Sequence, residues 1–136
     1  MDIRPYELTD REACVAICEA SGASRAEFEA YLDGEGGASY LVMEHDGAVV
    51  GCGGYSISGV LGMLQWGMVR PEFRKMGLGR FLLLYRMREI GFLGGIELVL
   101  VRTPKESAGF FLKQGFKTQA TGADWVELAK KLIVCS

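Results

Sequence analysis

The sequence predicts a mixed α/β domain, with one sheet carrying helices on its faces. Three observations lead there. The apolar period alternates along the chain between helical spacing and strand spacing. Helix starts and stops are spelled out by Thr/Ser-x-x-Glu boxes and glycines. The run Ile96–Val101 is almost entirely apolar, as a central strand covered on both sides must be.

The elements follow in order. Ile3 to Leu8 reads as a short first strand, and Thr9-Asp10-Arg11-Glu12 as a capping box opening a helix with Ala13, Ala16, Ile17 and Ala20 at helical spacing, stopped by Gly22. Ser24-Arg25-Ala26-Glu27 opens a second helix, with Phe28, Tyr31 and Leu32 on one face and Gly34, Gly36 and Gly37 at its end. Tyr40 to Glu44 and Ala48 to Ile57 are strands joined by the hairpin signal Asp46-Gly47. Gly51, Gly53 and Gly54 mark the second of them for a bulge or a close backbone approach. After Ser58-Gly59, Leu61 to Val69 is a third strand, closed by Pro71. Leu78 to Ile90 is a helix too apolar to face water all round, bounded by Gly91. Thr103-Pro104-Lys105-Glu106 reads as a third capping box, for a short helix Ala108–Gln114 stopped by Gly115 and Phe116. Strands near Phe116–Ala120 and Trp125–Ala129 close a pattern of seven strands and four helices.

The length of 136 residues suits one domain spanning 1–136, and 49% hydrophobic residues suffice for a core without disulfides or metal. A net charge of -2 argues against a nucleic-acid partner. Cys14, Cys18, Cys52 and Cys135 form no C-x-x-C pair and lie far from the single His45, so no zinc site is expected. The N-terminus lacks an apolar leader and no stretch is long enough to span a bilayer, which points to a cytoplasmic protein with reduced thiols.

The chemistry concentrates in Arg74-Lys75-Met76-Gly77-Leu78-Gly79-Arg80, which joins a strand to a long helix. Glycines there let backbone come close to a ligand, and the first amides of a helix point outward with the helix dipole behind them. Arg74, Lys75 and Arg80 add cations, a set suited to a diphosphate. A nucleoside-triphosphate loop would need Lys-Ser/Thr after the last glycine, where Arg80-Phe81 stands. A dinucleotide fingerprint would need glycine in place of Leu82. From these residues alone, a charged surface turn and a phosphate cradle both remain open.

Arg-x-x-Gly-x-Gly after Met68-Val69-Arg70-Pro71-Glu72-Phe73 resembles motif A of the GNAT superfamily of N-acetyltransferases. Three further segments are similar to that family in order and spacing. They are Glu44-His45-Asp46-Gly47 with Val50-Gly51, Phe110-Phe111-Leu112-Lys113-Gln114-Gly115-Phe116, and the closing Val126-Glu127-Leu128 with Lys130 and Leu132.

The resemblance implies a mostly antiparallel seven-stranded sheet splayed between its fourth and fifth strands, with acetyl-CoA or another acyl-CoA in the split. Gly67, Met68 and Val69 would pair with the pantetheine arm, and amides from Lys75 through Met76, Gly77, Leu78 and Gly79 to Arg80, with Arg74 nearby, would hold the diphosphate. Ser107, Phe110 and Phe111 would contact the arm or the thioester. It also implies direct transfer to a primary amine of a small molecule or peptide, and a homodimer is common among such proteins.

Here the pattern departs from the family's usual catalytic set. The tyrosine that often protonates the leaving thiolate is replaced by Phe111, and Pro104 stands near a frequent asparagine. Alternation along the fourth strand would put Met63, Gln65, Gly67 and Val69 on one face. Gln65, its only polar side chain, either positions a water or the amine, or satisfies buried backbone groups. His45 is expected in solvent, Glu44 at a solvent-facing strand end, Cys52 as a buried thiol, and Trp66 and Tyr85 as core aromatics. Phe28, Tyr31 and Tyr55 either pack in the core or line an acceptor pocket. Two functions remain: an acyl-CoA-dependent N-acyltransferase without metal, or an acyl-CoA-binding domain that has lost its chemistry.

Overall fold

The computed structural model describes residues 1–132, and Cys135 lies outside the described residues. Seven strands form one sheet in the order β1-β2-β3-β4-β5-β7-β6. They are β1 (Asp2–Pro5), β2 (Tyr40–His45), β3 (Ala48–Ser58), β4 (Leu61–Val69), β5 (Leu98–Pro104), β6 (Lys117–Thr121) and β7 (Trp125–Lys131). The helices are α1 (Arg11–Ala20), α2 (Arg25–Asp33), α3 (Leu78–Leu93) and α4 (Ala108–Lys113). Pairing is antiparallel for β1–β2, β2–β3, β5–β7 and β6–β7, and parallel for β4–β5 over Leu61–Leu64. A parallel neighbour requires a crossover, and α3 is the element that supplies it.

The chain divides into two compact units, Met1–Tyr55 with Trp66–Arg86, and Ser56–Gln65 with Met87–Ser136. In the first, Cys14, Ile17 and Cys18 of α1 and Phe28 and Leu32 of α2 pack with Tyr40, Val42 and Cys52 of the strands. Arg11 bridges the two helices through Glu29 (2.9 Å) and Asp33. A second cluster in this unit joins Met43, Val50 and Leu82, with Val69, Phe73 and Leu78 against it. The other unit buries Ile90, Ile96, Val99, Val101, Phe116, Val126 and Leu128.

Several expected boundaries move, each for an identifiable reason. The first strand stops at Pro5 rather than Leu8, and a 3-10 turn Leu8–Asp10 follows. The Thr9 box is replaced by Asp10, whose carboxylate accepts the Glu7 N–H at 2.8 Å and both arms of the Arg4 fork at 2.8 Å. Charge-assisted bonds of this kind outcompete a hydroxyl cap. Glu44, expected in solvent, is half-buried and accepts the same guanidinium at 2.8 Å.

The Ser24 box forms as read on its serine side, with the Glu27 N–H donating to Ser24 Oγ at 3.2 Å. The Thr103 box does not form. Thr103 and Pro104 stay in β5, paired to Val126 and Trp125, and ladder pairing of a buried strand residue wins over a cap. A 3-10 turn Lys105–Ser107 then leads into α4. The long helix passes Gly91 and ends at Leu93, where Gly94 and Gly95 take φ of 74° and 77°, conformations open to glycine.

Candidate functional site

The end of β4 is shaped by one backbone irregularity. Trp66 has φ of 48°, an outlier for an aromatic residue that surrounding contacts must hold in place. Its ring packs against Phe28 (5.1 Å) and Tyr31 (6.2 Å), and its carbonyl accepts the buried Tyr40 hydroxyl at 2.6 Å. The irregularity interrupts the two-residue alternation, so the expectation of one face shared by Met63, Gln65, Gly67 and Val69 fails. Beyond it, Met68 packs with the α1–α2 cluster, while Val69 packs with Met43, Val50 and Leu82. Gln65 is half-buried.

Sequence reasoning passed over Arg86, hidden in an apolar helix. It is only 4% exposed. Nη1 donates to Gly54 O at 3.2 Å, Nε has no partner, and no carboxylate pairs with it among the described residues. A methyl group on Gly67 would lie 2.8 Å from Nη2, and one on Gly53 would lie 3.1 Å from Cζ, so the two glycines make the room this guanidinium occupies. Burial pushes its pKa down to about 10, leaving it charged at neutral pH. The one signal in the sequence was the glycine-rich β3, read as a close approach without naming what approaches. On the same strand, a methyl on Gly54 would meet the Tyr31 hydroxyl at 2.6 Å.

The loop after β4 begins with a 3-10 turn, Pro71–Phe73, anchored by the Arg70 N–H on Val50 O at 2.8 Å. Lys75 and Gly77 then take left-handed φ of 64° and 79°. The α3 ladder opens with Phe81 N–H on Gly77 O at 3.0 Å, so the amides just before Phe81 precede the intrahelical pattern. Leu78 anchors the helix start in the Met43–Val50–Leu82 cluster, while Lys75, Met76 and Arg80 are exposed. Arg74 braces the loop. Its Nε donates to Val69 O and its Nη2 to Ser21 Oγ just past α1, both at 3.2 Å. This arrangement can present amides and cations to an anion.

In the other unit, Ser107 is exposed and precedes α4 without capping it. Phe110 and Phe111 meet edge to face at 5.1 Å, and Phe111 meets Phe116 in the same way at 5.5 Å. The stop at Gly115 is as read, with φ of 90° and the Phe116 N–H on Phe111 O at 3.1 Å.

His45 lies at the hairpin, with Nε2 3.4 Å from Asp46, and Cys52 is buried. A hydrogen bond with Cys52, with burial second, pushes the Cys14 thiol up, out of the reactive range. Tyr31 is pushed up to about 12 by burial. Among the described residues, no group of His, Cys, Asp and Glu is arranged to hold a metal ion. Nor is any helix among them long and apolar enough to cross a membrane.

Residues 36–118, from just after α2 to the start of β6, match the family model described as the acetyltransferase (GNAT) domain. The chain belongs to the GNAT acetyltransferase family.

Solved structures of similar fold include Ard1 from Thermoplasma volcanium, 19% identical with 97% of each chain covered and a TM-score of 0.82. The ribosomal-protein-S18-alanine N-acetyltransferase from Escherichia coli is 18% identical, with 99% of this chain and 96% of that chain covered and a TM-score of 0.81. The PaiA N-acetyltransferase from Thermoplasma acidophilum, solved in complex with coenzyme A, is 18% identical, with coverage of 96% and 98% and a TM-score of 0.78. No curated protein matches the chain in sequence. At these identities the GNAT neighbours establish the fold, a mostly antiparallel seven-stranded sheet with four helices.

Proposed function

We propose that this GNAT chain transfers an acetyl or other short acyl group from acyl-CoA to the primary amine of a small molecule or peptide. The observation that carries the reading is the loop with left-handed Lys75 and Gly77 opening a 16-residue helix, inside the segment that matches the acetyltransferase domain. In this reading the amides of Lys75–Arg80 take the diphosphate, with Lys75 and Arg80 adding charge at its rim. Arg74, braced on Val69 O and Ser21 Oγ, shapes the loop as well as adding charge. Gly67, Met68 and Val69 take the pantetheine arm, and Ser107, Phe110 and Phe111 the arm or thioester. The protein acts in the cytoplasm as one domain, without metal, membrane or nucleic acid.

The chemistry is one displacement. A neutral amine attacks the thioester carbonyl, the C–N bond forms, the C–S bond breaks, and its electron pair leaves on sulfur as thiolate. The ammonium proton passes to water, and in this reading Gln65 is the side chain that orients that water or the amine. A thiolate with a solution pKa of about 8.5 leaves without an acid, and an added acid typically contributes about 100- to 10,000-fold.

One observation favours a second reading, an acyl-CoA-binding domain without turnover: Phe111, where relatives often carry a phenol, packs edge-on between two phenyl rings. Thiol release from acetyl-CoA across a panel of amines decides between them. Turnover with any acceptor, abolished by Gly77→Glu, supports the enzyme; tight CoA binding without turnover supports the binder.

A further inference from the structure

A buried arginine with no carboxylate is expensive to keep, because a desolvated cation gains little without an opposite charge. Arg86 is such a residue, and the surroundings are built to seat it. A side chain on Gly67 would clash with it, and one on Gly53 would press tightly against it. Gly54 O takes one of its N–H groups, while Nε is left without a partner. The ionisable neighbours that face it are Tyr40, Cys52 and Tyr31. Burial raises both tyrosines, so neither phenol supplies a counter-charge at neutral pH. The positive charge is therefore uncompensated within its own unit. Its near edge lies against the Cα of Gly67, one residue past the irregularity at Trp66. Since Gly67 has no side chain, the guanidinium comes up to the β4 backbone there, at a residue that is itself exposed.

We propose that Arg86 is an electrostatic positioning residue, set behind Gly67 to stabilise the negative charge that gathers on the thioester oxygen and then on sulfur as the C–S bond breaks. This rests on the reading that the pantetheine arm runs along Gly67–Val69. It also accounts for the absence of a phenol at position 111: a fixed cation lowers the energy of a leaving thiolate without donating a proton. No atom is transferred by Arg86. It remains protonated throughout, and the thiolate leaves and is protonated by solvent.

The test uses bound CoA, whose thiolate absorbs in the ultraviolet, titrated on the full chain with and without substitution. The wild type is expected to hold the bound thiol about one to two pKa units below that of free CoA, the scale of a charge several ångströms away at intermediate dielectric. Arg86→Met should return the thiol to the free value and lower kcat at least about 10-fold, with little change in KM for acyl-CoA. Arg86→Lys, which keeps the charge, should retain most of the shift. Arg86→Gln is a second neutral variant that keeps a donor for Gly54 O. A bound thiol in the wild type that titrates like free CoA, or an identical shift in the Met and Gln variants, overturns the proposal. Failure of the wild type to bind CoA would instead sink the functional reading beneath it.

Discussion

At Asp10, one carboxylate accepts the Arg4 fork and the Glu7 amide while being only 6% exposed. The hydrogen bonds from Arg4 hold it below the usual carboxylate range. A depressed carboxylate contributes stability that is present above its unfolded value, near ~3.9, and lost as pH falls through the folded value. Asp10→Asn should therefore lower the denaturation midpoint at neutral pH, and the gap to wild type should shrink as pH falls through the depressed folded value. Arg86 has the opposite sign. Its pKa of about 10 corresponds to roughly 3 kcal/mol of destabilisation, so Arg86→Met should raise the thermal midpoint or leave it unchanged while impairing function. Phe111 makes its own prediction. Phe111→Tyr should leave turnover unchanged or improve it, and a large loss of kcat would assign the phenyl ring an active role.

Among the elements, those whose ends are written in local chemistry are legible in the sequence. Ser24 caps α2, Asp46-Gly47 turns the hairpin with φ of 52° and 78°, and Gly115 ends α4. Ser24→Ala should cost about 1 kcal/mol in denaturant unfolding. The elements misread are those in which a distant partner overrode the local signal. Thr103 had the look of a cap and became a paired strand residue, and Thr9 yielded to an Asp10 that Arg4 reaches from β1. The extension of α3 past Gly91 is a third case, because a mid-helix glycine costs only about 1 kcal/mol and the true stop needs a left-handed φ. Gly94→Ala, at φ of 74° with open space around it, should destabilise by about 1–2 kcal/mol through backbone strain alone.

At the scale of the molecule, the sheet order leaves β1 and β6 at its edges. Every residue of β6 is exposed, and it is blunted by Lys117 and by a register shift between Thr118 and Ala120, devices that discourage edge pairing with another chain. Binding couples to folding across the whole chain. If the Lys75–Arg80 loop takes CoA, a hundredfold excess over Kd should stabilise the native state by about 2.7 kcal/mol, read as a rise in thermal midpoint. Gly77→Glu should abolish that rise, since it imposes a side chain at φ of 79° and a negative charge where phosphate would sit.

What the sequence determined by itself was local or periodic: seven strands and four helices in order, the hairpin, and a glycine-bearing basic loop entering a helix. Those features follow from covalent geometry and from spacing that repeats within a few residues. Tertiary structure alone decided that Trp66 would break the alternation of β4 and that the glycines of β3 and β4 would converge on Arg86. Both depend on residues far apart along the chain being forced into one volume. A sequence records which side chains are small but not what fills the space they leave.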